Sequence, residues 1–447
     1  MGSRQSPLRT SLDASVAEGA AAEVFGACAG GAVLTGWAVF LGASPLVIGV
    51  LGALPFAAQI LQMPAAWLTE RLGAKPLAIV SIAASRLVWL PLVAVPFLHL
   101  ATPTALALFL SIVAVAALLG VVGNNAWTAW MGDLVPGAIR GRFLARRMMY
   151  LNLAGTVSSL AAAVALDAMS PRGFEGETLG ALAAVACVAG LAGIRLLLVQ
   201  QTGARREDNG APDWHDLTRP AHDPRARPLL DYLLAWNAAV GLSAGFFSFH
   251  MLTHLKMGFM LVAAYAIVVA ALRITSAPVW GRLVDRCGAR PVLILCSVGV
   301  ATGPLIWLFV TPERLWPVLL EAALAGTLWG GHGIALFDLS IGVAPRRGRA
   351  FYLAAFAAAG GVGFAVSSIV AGLLATALAT PLDASGSTWR EMHVLFLCSA
   401  VGRGGTAMLA LRIEEPAARS VRQLARALMS GLARRSTRLL RLGAAEV

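Results

Sequence analysis

The feature that most constrains this chain is a series of apolar blocks, separated by short polar segments. Examples are residues 45–68, 77–100, 180–199 and 291–310. A helix of about 20 apolar residues crosses the hydrocarbon core of a bilayer, which is roughly 30 Å thick. The blocks are continuously apolar rather than alternating, which excludes spanning β-strands. Because backbone groups in lipid must satisfy their own hydrogen bonds, each block predicts a transmembrane α-helix.

Composition supports the same class of protein. Hydrophobic residues make up 58% of the 447 residues and charged residues only 13%, whereas soluble domains carry about 25% charged residues. We therefore predict an all-α membrane protein with twelve transmembrane spans. The predicted spans are residues 22–43, 45–68, 77–99, 103–131, 148–168, 180–200, 230–253, 257–283, 291–311, 315–340, 351–379 and 392–412.

The placement of the basic residues predicts the orientation of these spans. With both termini in the cytoplasm, 27 of the 35 Lys and Arg residues lie on the cytoplasmic side and four lie outside, as the positive-inside rule requires. This asymmetry predicts a multi-pass protein of the inner (plasma) membrane, with the lipid bilayer as its surroundings. It also accounts for the net charge of +12 without a nucleic-acid partner.

The longest polar stretch divides the spans six and six. Residues 201–229 contain no apolar run and predict a cytoplasmic linker between an N-terminal bundle, 1–200, and a C-terminal bundle, 230–412. Residues 413–447 predict a basic cytoplasmic tail, in which Val421, Leu424, Leu428 and Leu432 recur at helical spacing. This spacing suits an amphipathic helix on the membrane surface, and a solvated tail is the alternative.

Neither an enzyme nor a cofactor site is indicated. The chain has no HExxH motif and no phosphate-binding glycine loop. Its five cysteines are scattered, without a CxxC pair or a histidine at ligand spacing. We interpret them as small buried side chains rather than metal ligands. We expect no catalytic residue, no metal and no cofactor.

Two short loops carry the same pattern at equivalent places in the two halves. Residues 68–76 read LTERLGAKP, and residues 281–291 read GRLVDRCGARP. Both contain an acid, an arginine, a glycine, an alanine, a base and a proline in the same order. The acids Glu70 and Asp285 are 215 residues apart, which is close to half the chain. Transporter halves related by an axis along the membrane normal show parallel repeats of this kind.

These loops resemble the cytoplasmic signature loop of the major facilitator superfamily, G-x-L-x-D-R-x-G-R-[RK]. The second copy departs at Ala289 and matches at Gly281, Leu283, Asp285, Arg286, Gly288 and Arg290. The first copy is looser: Ala66, Glu70 and Ala74 replace family residues, and the chain keeps Leu68, Arg71, Gly73 and Lys75. The resemblance covers essentially the whole chain. It implies two pseudo-symmetric six-helix bundles and transport by alternating access.

The resemblance also implies that charges at these loops act as a gate. In each half the loop arginine is expected to pair with the aspartate that ends span 4 or span 10. The loop acid is expected to face the amino end of span 11 or span 5, where a carboxylate stabilises the helix by roughly 0.3–1 kcal/mol. Alternatively, these charges only anchor the topology. The gating candidates are Glu70, Arg71, Gly73, Asp133, Asp285, Arg286, Gly288 and Asp338.

In this family, spans 1, 4, 7 and 10 line the central cavity, so the resemblance also implies candidates for substrate binding. They are the polar and aromatic residues Thr35, Trp37, Asn124, Asn125, Trp127, Asn237, His250, Trp329 and His332. The aromatic side chains would suit an amphiphilic or ring-bearing solute, although such residues also pack cores.

Ionisable residues inside the bilayer need a reason, because placing one at the centre costs at least about 2.5–3.5 kcal/mol. Arg86, Glu321 and His332 are the candidates for ion coupling, and a hydrogen-bonded packing role is the alternative for each. Predicted span 1 contains no interior carboxylate, because Glu23 lies near its end, where water reaches it. This absence argues against proton-driven drug antiport.

Together these patterns predict a monomeric secondary transporter that moves a small organic solute, with H⁺ as the candidate coupling ion. Export is slightly favoured over uptake. The alternative is an assembly or delivery factor for membrane proteins or pigments, which keeps the fold but moves no solute. Such a factor would have a sealed apolar centre, with no cavity reaching Asn124, Asn237 or His332.

Overall fold

The computed structural model describes residues 7–202, 214–345, 349–384 and 390–415. In these parts of the chain, regular structure is helical apart from one isolated bridge between Thr311 and Arg314. Eleven of the described helical segments are long and apolar enough to cross a membrane. A twelfth helix, Pro317–Val343, is of similar length and carries Glu321, His332 and Asp338.

Six of these helices form the first half of the chain. They are α1 Pro7–Phe40, α2 Pro45–Leu72, α3 Ala74–Phe97, α4 Thr102–Leu134, α5 Gly137–Met169 and α6 Glu175–Val199. The first helix is broken at Gly30 into Pro7–Ala29 and Gly31–Phe40. A proline at the start of α2 and of α4 suits the first turn, where the missing N–H would have no helical partner.

The second half contains six helices of similar length. They are α7 Arg227–Thr253, α8 Gly258–Cys287, α9 Ala289–Phe309, α10 Pro317–Val343, α11 Arg349–Ala384 and α12 Glu391–Arg412. A short helix, Trp214–His222, lies in the linker between the halves. Beyond it, Asp223 accepts hydrogen bonds from the Arg225 N–H and the Tyr352 hydroxyl, which lower the pKa of that carboxyl.

The two halves repeat one pattern of helix packing. In the first half α1 packs against α5 and α6, and α3 packs against α4. In the second half α7 packs against α11 and α12, and α9 against α10. The halves meet through two contacts, α2 against α11 and α5 against α8. Because α2 corresponds to α8 and α5 corresponds to α11, each contact is the symmetric equivalent of the other. The structure therefore confirms an all-α fold of two related six-helix bundles.

The α2–α3 and α8–α9 loops lie at one end of the molecule, here called the signature-loop end. Gly73 and Gly288 have φ angles of 87° and 93°, which glycine adopts readily, so each allows the chain to reverse sharply. Glu415 accepts hydrogen bonds from the backbone N–H groups of Ala289 and Arg290 at 2.9 and 2.7 Å, and so caps α9. The predicted tail helix, with Val421, Leu424, Leu428 and Leu432, lies outside the described residues.

Two predicted helix starts were placed too late. The first helix begins at Pro7 rather than near residue 22, and the fifth begins at Gly137 rather than near residue 148. Two charged residues of the added segments are covered by neighbouring helices: Glu18 in α1 and Arg147 in α5. Glu23, which the prediction placed near the start of span 1, lies in the middle of α1. The expectation that span 1 lacks an interior carboxylate is therefore wrong.

Candidate transport pathway

Two cavities adjoin each other along α1. The first, here called the seam cavity, has a volume of about 430 Å³ and lies between α1 and α5 of one bundle and α7 and α8 of the other. The second, the N-bundle cavity, has a volume of about 320 Å³ and is lined by helices of the first bundle. Glu23 lines both cavities. The two adjoining cavities, one along the junction of the bundles and one in the first bundle, are together called the candidate pathway below.

A buried group of charges forms one wall of the N-bundle cavity. Arg86 on α3 donates to Glu18 on α1 at 2.6 Å, and their side chains are only 8% and 4% exposed. Arg147 on α5 contacts the second Glu18 oxygen at 3.5 Å and donates to the Ser15 carbonyl at 3.3 Å. One carboxylate therefore contacts both arginines, so that neither positive charge is buried without a counter-charge beside it.

Two glycines on α6 make room for the Arg86 side chain. A Cβ at Gly190 would lie 3.1 Å from the Arg86 Cβ. A Cβ at Gly193 would overlap the Arg86 guanidinium. Because glycine adds no side chain, α6 can approach α3 closely while the arginine lies between them. The sequence placed Arg86 inside a span, and the structure shows that its side chain packs against the two glycines of α6.

Glu23 differs from Glu18, which lies five residues earlier on the same helix. Its side chain is exposed, and the space that it borders is that of the two cavities. Within the described parts of the chain it forms neither a hydrogen bond nor an ion pair, although the charge of Arg147 acts on it. Gly155 on α5 faces it closely, since a Cβ there would lie 3.1 Å from a carboxylate oxygen. Of the two acids on α1 that border the cavities, Glu23 is therefore the one whose carboxylate is open to contact with a solute.

Of the first-half residues predicted to bind substrate, Asn124 and Trp127 line the N-bundle cavity. The Arg147 guanidinium lies 4.4 Å from the centre of the Trp127 ring, and the buried indole nitrogen of Trp127 has no partner among the described residues. Asn125 instead donates to Gln62 on α2 at 3.3 Å.

The other two first-half candidates lie on the outer segment of α1. Thr35 donates to the Gly31 carbonyl of its own helix at 3.4 Å and is half-buried. Trp37 is fully buried and stacks with Phe109, at a centroid separation of 6.4 Å. Neither is among the residues that line the two cavities described above. Trp37 thus packs the core of the first bundle.

The second-half candidates form a network inside their own bundle. His332 is 3% exposed, stacks on Trp236 with centroids 4.5 Å apart, and shares a 2.8 Å hydrogen bond with the Tyr232 hydroxyl. Trp329 packs edge-on to both rings. Asn237 donates to the Leu233 carbonyl of its own helix at 2.9 Å.

His250 lies at the far end of α7, away from that network. Its Nδ1 is 3.2 Å from the Nδ1 of His254, whose Nε2 is 3.6 Å from a Glu391 oxygen. His250 is 2% exposed, and its Nε2 has no partner among the described residues. No grouping of three or more possible metal ligands with suitable geometry occurs in the described part of the chain.

Glu321 is linked to the seam cavity through one hydrogen bond. Tyr265 on α8 lines that cavity, and its hydroxyl donates to Glu321 on α10 at 2.7 Å. Glu321 itself is 6% exposed. Of the three predicted coupling residues, Arg86 is held by Glu18 and His332 by Tyr232, so Glu321 is the one that reaches the seam cavity through a neighbour.

Arg403 is the second arginine buried within a span. It donates to the Ser243 hydroxyl at 2.9 Å, which in turn donates to Ser399 at 2.9 Å. Ser243 is the central residue of a GxSxG sequence, Gly241 to Gly245. That motif positions a nucleophile only at a turn between a strand and a helix. Here it lies inside α7, where the serine is fully buried, so it has a packing role.

The gating candidates lie at the signature-loop end, where Glu70, Asp285 and Asp338 are exposed. The Arg71 guanidinium rests 4.2 Å from the centre of the Trp67 ring on its own helix. The described residues include no ion pair between Arg286 and Asp338, so the expected pair is not formed in this conformation. Their role in gating, like that of Asp133, remains a prediction.

At the opposite end a carboxylate joins the two bundles. Asp167, near the end of α5, accepts hydrogen bonds from the N–H groups of Phe259 and Met260 in the first turn of α8, both at 2.7 Å. A carboxylate in this position also offsets the partial positive charge of the helix amino end. This contact, here called the Asp167 latch, holds α5 and α8 together at that end.

A second contact between the bundles closes the seam on the other side. Ser368 on α11 donates to the Gly49 carbonyl on α2 at 2.8 Å, and Phe56 stacks on Phe364 with the rings 12° from parallel. Gly49 and Gly372 lie so close that a Cβ at Gly49 would meet the Gly372 backbone at 3.0 Å. Glycines at the crossing let the two helices approach, as is common where helices pack within membranes.

A family model described as Major Facilitator Superfamily matches residues 20–368. The chain belongs to this superfamily. It is a multi-pass membrane protein and a transporter rather than an enzyme, as the signature loops indicated.

Solved transporters share its fold. The nucleoside transporter NupG (D323A mutant) superposes with a TM-score of 0.68 at 13% identity, over 91% of this chain and 100% of that one. A D-xylose–proton symporter gives 0.65 at 14% identity, over 89% and 97%. A bacterial homolog of the human lysosomal transporter Spinster, in an inward-facing and unoccupied conformation, gives 0.61 at 15% identity, over 92% and 95%.

One curated relative matches part of the sequence. The class H tetracycline resistance protein of Pasteurella multocida is 30% identical over 105 residues, which is 24% of this chain and 26% of that protein. The match therefore spans about a quarter of the relative's length.

Proposed function

We propose that the protein is an alternating-access secondary transporter that moves a small organic solute across the inner membrane, with export favoured over uptake. The observation that carries this proposal is the seam cavity, which lies between the bundles and joins the N-bundle cavity at Glu23. A pathway between two packed halves is what rocking of the bundles would expose to each side in turn.

The contacts at the two ends support a defined conformation. The Asp167 latch joins the bundles at one end, whereas the Arg286–Asp338 pair expected at the signature-loop end is not formed among the described residues. We propose that the pathway opens at the signature-loop end here. The excess of basic residues in the loops of that end supports a cytoplasmic location for it and for both termini. Residues 1–200 and 230–412 would be the two moving bodies, joined by the 201–229 linker.

Two observations support export of an amphiphilic solute. They are the partial match to a tetracycline resistance protein and the aromatic side chains that line the cavities. For ion coupling, the Tyr265–Glu321 hydrogen bond connects a buried acid to the seam cavity and makes Glu321 the favoured site for H⁺. The alternative of a non-transporting assembly factor requires a sealed centre, whereas Asn124 lines a cavity.

The test is solute flux in proteoliposomes, with solutes first selected by thermal shift against a library of organic compounds, since a binder stabilises the state it prefers. Gly26→Trp provides the critical variant, because Gly26 lines the seam cavity and a Cβ there meets nothing within 4 Å. The indole should fill the cavity and reduce flux at least about tenfold. Gly405→Trp is the control, because Gly405 is exposed and equally open. Equal flux in the two variants would contradict the proposal.

The signature-loop gate has a separate test. Asp285→Asn should slow flux while leaving membrane insertion intact, because the loop acid is proposed to act in the closed state of that end. Insertion is followed by the amount of folded protein in the membrane. Wild-type flux in this variant would remove the gating role.

A further inference from the structure

We infer that the transported solute is an organic cation with an apolar body, and that the Glu23 carboxylate binds its cationic group. This inference rests on the proposed transport function and specifies its substrate class. It follows from a comparison of the charged side chains that border the two cavities: Arg86 and Arg147 contact Glu18, whereas Glu23 has no direct partner among the described residues.

The positive charges that border the pathway are already engaged. Arg86 binds Glu18 at 2.6 Å and is enclosed by the α6 glycines. Arg147 is shared between Glu18, the Ser15 carbonyl and the face of Trp127. An anionic solute would have to replace the buried carboxylate that both arginines contact. Leaving that carboxylate buried without a partner is strongly unfavourable. The geometry therefore disfavours an anion.

Glu23 is the acid bordering these cavities that has no direct partner among the described residues, although the charge of Arg147 acts on it. It projects from α1 at the junction of the two cavities and has no hydrogen-bond or ion-pair partner among the described residues. Glu18, on the same helix, is 3% exposed and fully occupied by its arginines. Of these two acids, only Glu23 can meet a solute without breaking an existing contact.

The rest of the seam cavity fits an apolar body. Its wall includes Met251, Phe259, Val262 and Ile267, together with uncharged polar groups such as Ser159 and Ser248. Glu23 is the single charged side chain among the lining residues. A neutral solute that displaced water here would leave the carboxylate without a partner, which is unfavourable. A cation on an apolar body would pair with the carboxylate and contact the apolar wall of the cavity.

The experiment compares two probes of nearly the same shape and opposite charge, tetraphenylphosphonium and tetraphenylborate. Binding to the full chain in nanodiscs is measured by equilibrium dialysis, with empty nanodiscs subtracted. Wild-type protein should bind the phosphonium at least about tenfold more tightly than the borate, because Coulomb attraction to a partly desolvated carboxylate reverses sign between them. Tighter binding of the borate would overturn the inference.

The Glu23→Gln variant assigns the effect to one side chain. It should weaken phosphonium binding at least about tenfold, because it removes the charge while preserving shape. Glu177→Gln is the matched control, since Glu177 is exposed at the start of α6 and outside both cavities. Glu23→Asp keeps the charge and should retain the preference for the phosphonium. It shows whether position 23 tolerates substitution, so that weaker binding in Glu23→Gln is not mistaken for misfolding. Unchanged phosphonium binding in Glu23→Gln would also overturn the inference.

These outcomes are separate from failure of the transport function. If neutral or anionic solutes cross proteoliposomes and Gly26→Trp blocks them, the protein is a transporter and the cation inference is wrong. If Gly26→Trp and Gly405→Trp leave all fluxes equal, the proposed function itself fails.

Discussion

The first bundle buries an arginine in direct contact with a carboxylate, whereas the arginine buried in the second bundle donates to a hydroxyl and interacts with the charge of Glu321 without a direct contact. In the first, Arg86 contacts Glu18 at 2.6 Å, with Arg147 on the other carboxylate oxygen. In the second, Arg403 donates to the Ser243 hydroxyl and lies 5.9 Å from the centre of the Trp329 ring. The helix packing of the two halves is the same, so the repeat specifies the scaffold and not the chemistry inside it.

The difference indicates where function is concentrated. The charged group of the first bundle borders the N-bundle cavity, whereas His332, Tyr232 and Trp236 form a buried network within the second bundle. We therefore expect substitutions in the first bundle to change both stability and binding. Those in the second-bundle network should change stability alone. Four substitutions test this comparison.

The largest effect is expected from Arg86→Met. Removing one member of a buried charge pair typically costs about 3–5 kcal/mol, since the partner stays buried and charged. Arg403→Met should cost less, because its hydrogen-bond partner is a neutral hydroxyl, and Glu321, on which its charge acts, keeps the hydrogen bond from Tyr265. Thermal unfolding of the purified proteins in detergent measures the difference. A larger loss for Arg403→Met would reverse the comparison, and recovery in the Glu18→Leu/Arg86→Met double variant would support it.

Gly193→Ala should have the next largest effect. The new methyl would overlap the Arg86 guanidinium, and relieving such overlap in a packed interior costs about 1–3 kcal/mol. The matched change in the second bundle is Gly404→Ala on α12, where the added Cβ meets nothing within 4 Å. Unfolding temperatures should fall for the first and stay level or rise slightly for the second, since alanine favours helix over glycine. A similar fall in both would show that α6 is not shaped around Arg86.

Asp167→Asn tests the junction between the bundles. The amide has one acceptor oxygen in place of two, so one charge-assisted hydrogen bond to α8 is lost, a change of about 1.5–3 kcal/mol. Part of this loss of free energy should appear as a shift of population toward states that are open at the Asp167 end of the molecule. Distances between spin labels at Arg172 and Glu313, one on each bundle, report the opening. Glu177→Gln serves as the control for altered surface charge, and unchanged distances in Asp167→Asn would mean that the latch is not a gate.

The smallest effect is expected from Tyr232→Phe. It deletes the hydroxyl that bonds His332 and Ser297, at about 0.5–1.5 kcal/mol. Solute flux should be unchanged, because neither Tyr232 nor His332 is among the residues that line the two cavities described above. Asn124→Ala provides the contrast, since Asn124 borders the N-bundle cavity and its loss should reduce flux. A flux defect in Tyr232→Phe would place the second-bundle network in the pathway.

Much of the fold could be predicted from the sequence, and the two helix starts that were predicted wrongly have a common cause. Apolar blocks marked most spans to within a few residues, because each block gains free energy from lipid independently of the others. The starts of α1 and α5 were missed, since Glu18 and Arg147 suggested water where the structure has protein. The alanine-rich run from Ala14 to Ala22 was the available signal for a longer first helix.

The candidate site was harder to predict. Asn124 and Trp127 were identified through the family resemblance and border a cavity, whereas Trp37 and His332 lie in bundle cores. Glu18, Arg147 and the Asp167 latch were missed. Helical position alone does not say which face of a span turns toward its neighbours when every face is apolar.

By itself the sequence determined the membrane class, the number and order of the helices, and the family. These depend on local composition and on motifs that can be identified within one segment. Only the tertiary structure decided that Arg86 is neutralised by Glu18, that Glu23 is left without a partner, and that Asp167 joins the bundles. Those contacts link residues 68 and 92 positions apart. Electrostatic pairing depends on distance in space, which a linear pattern of residues does not contain.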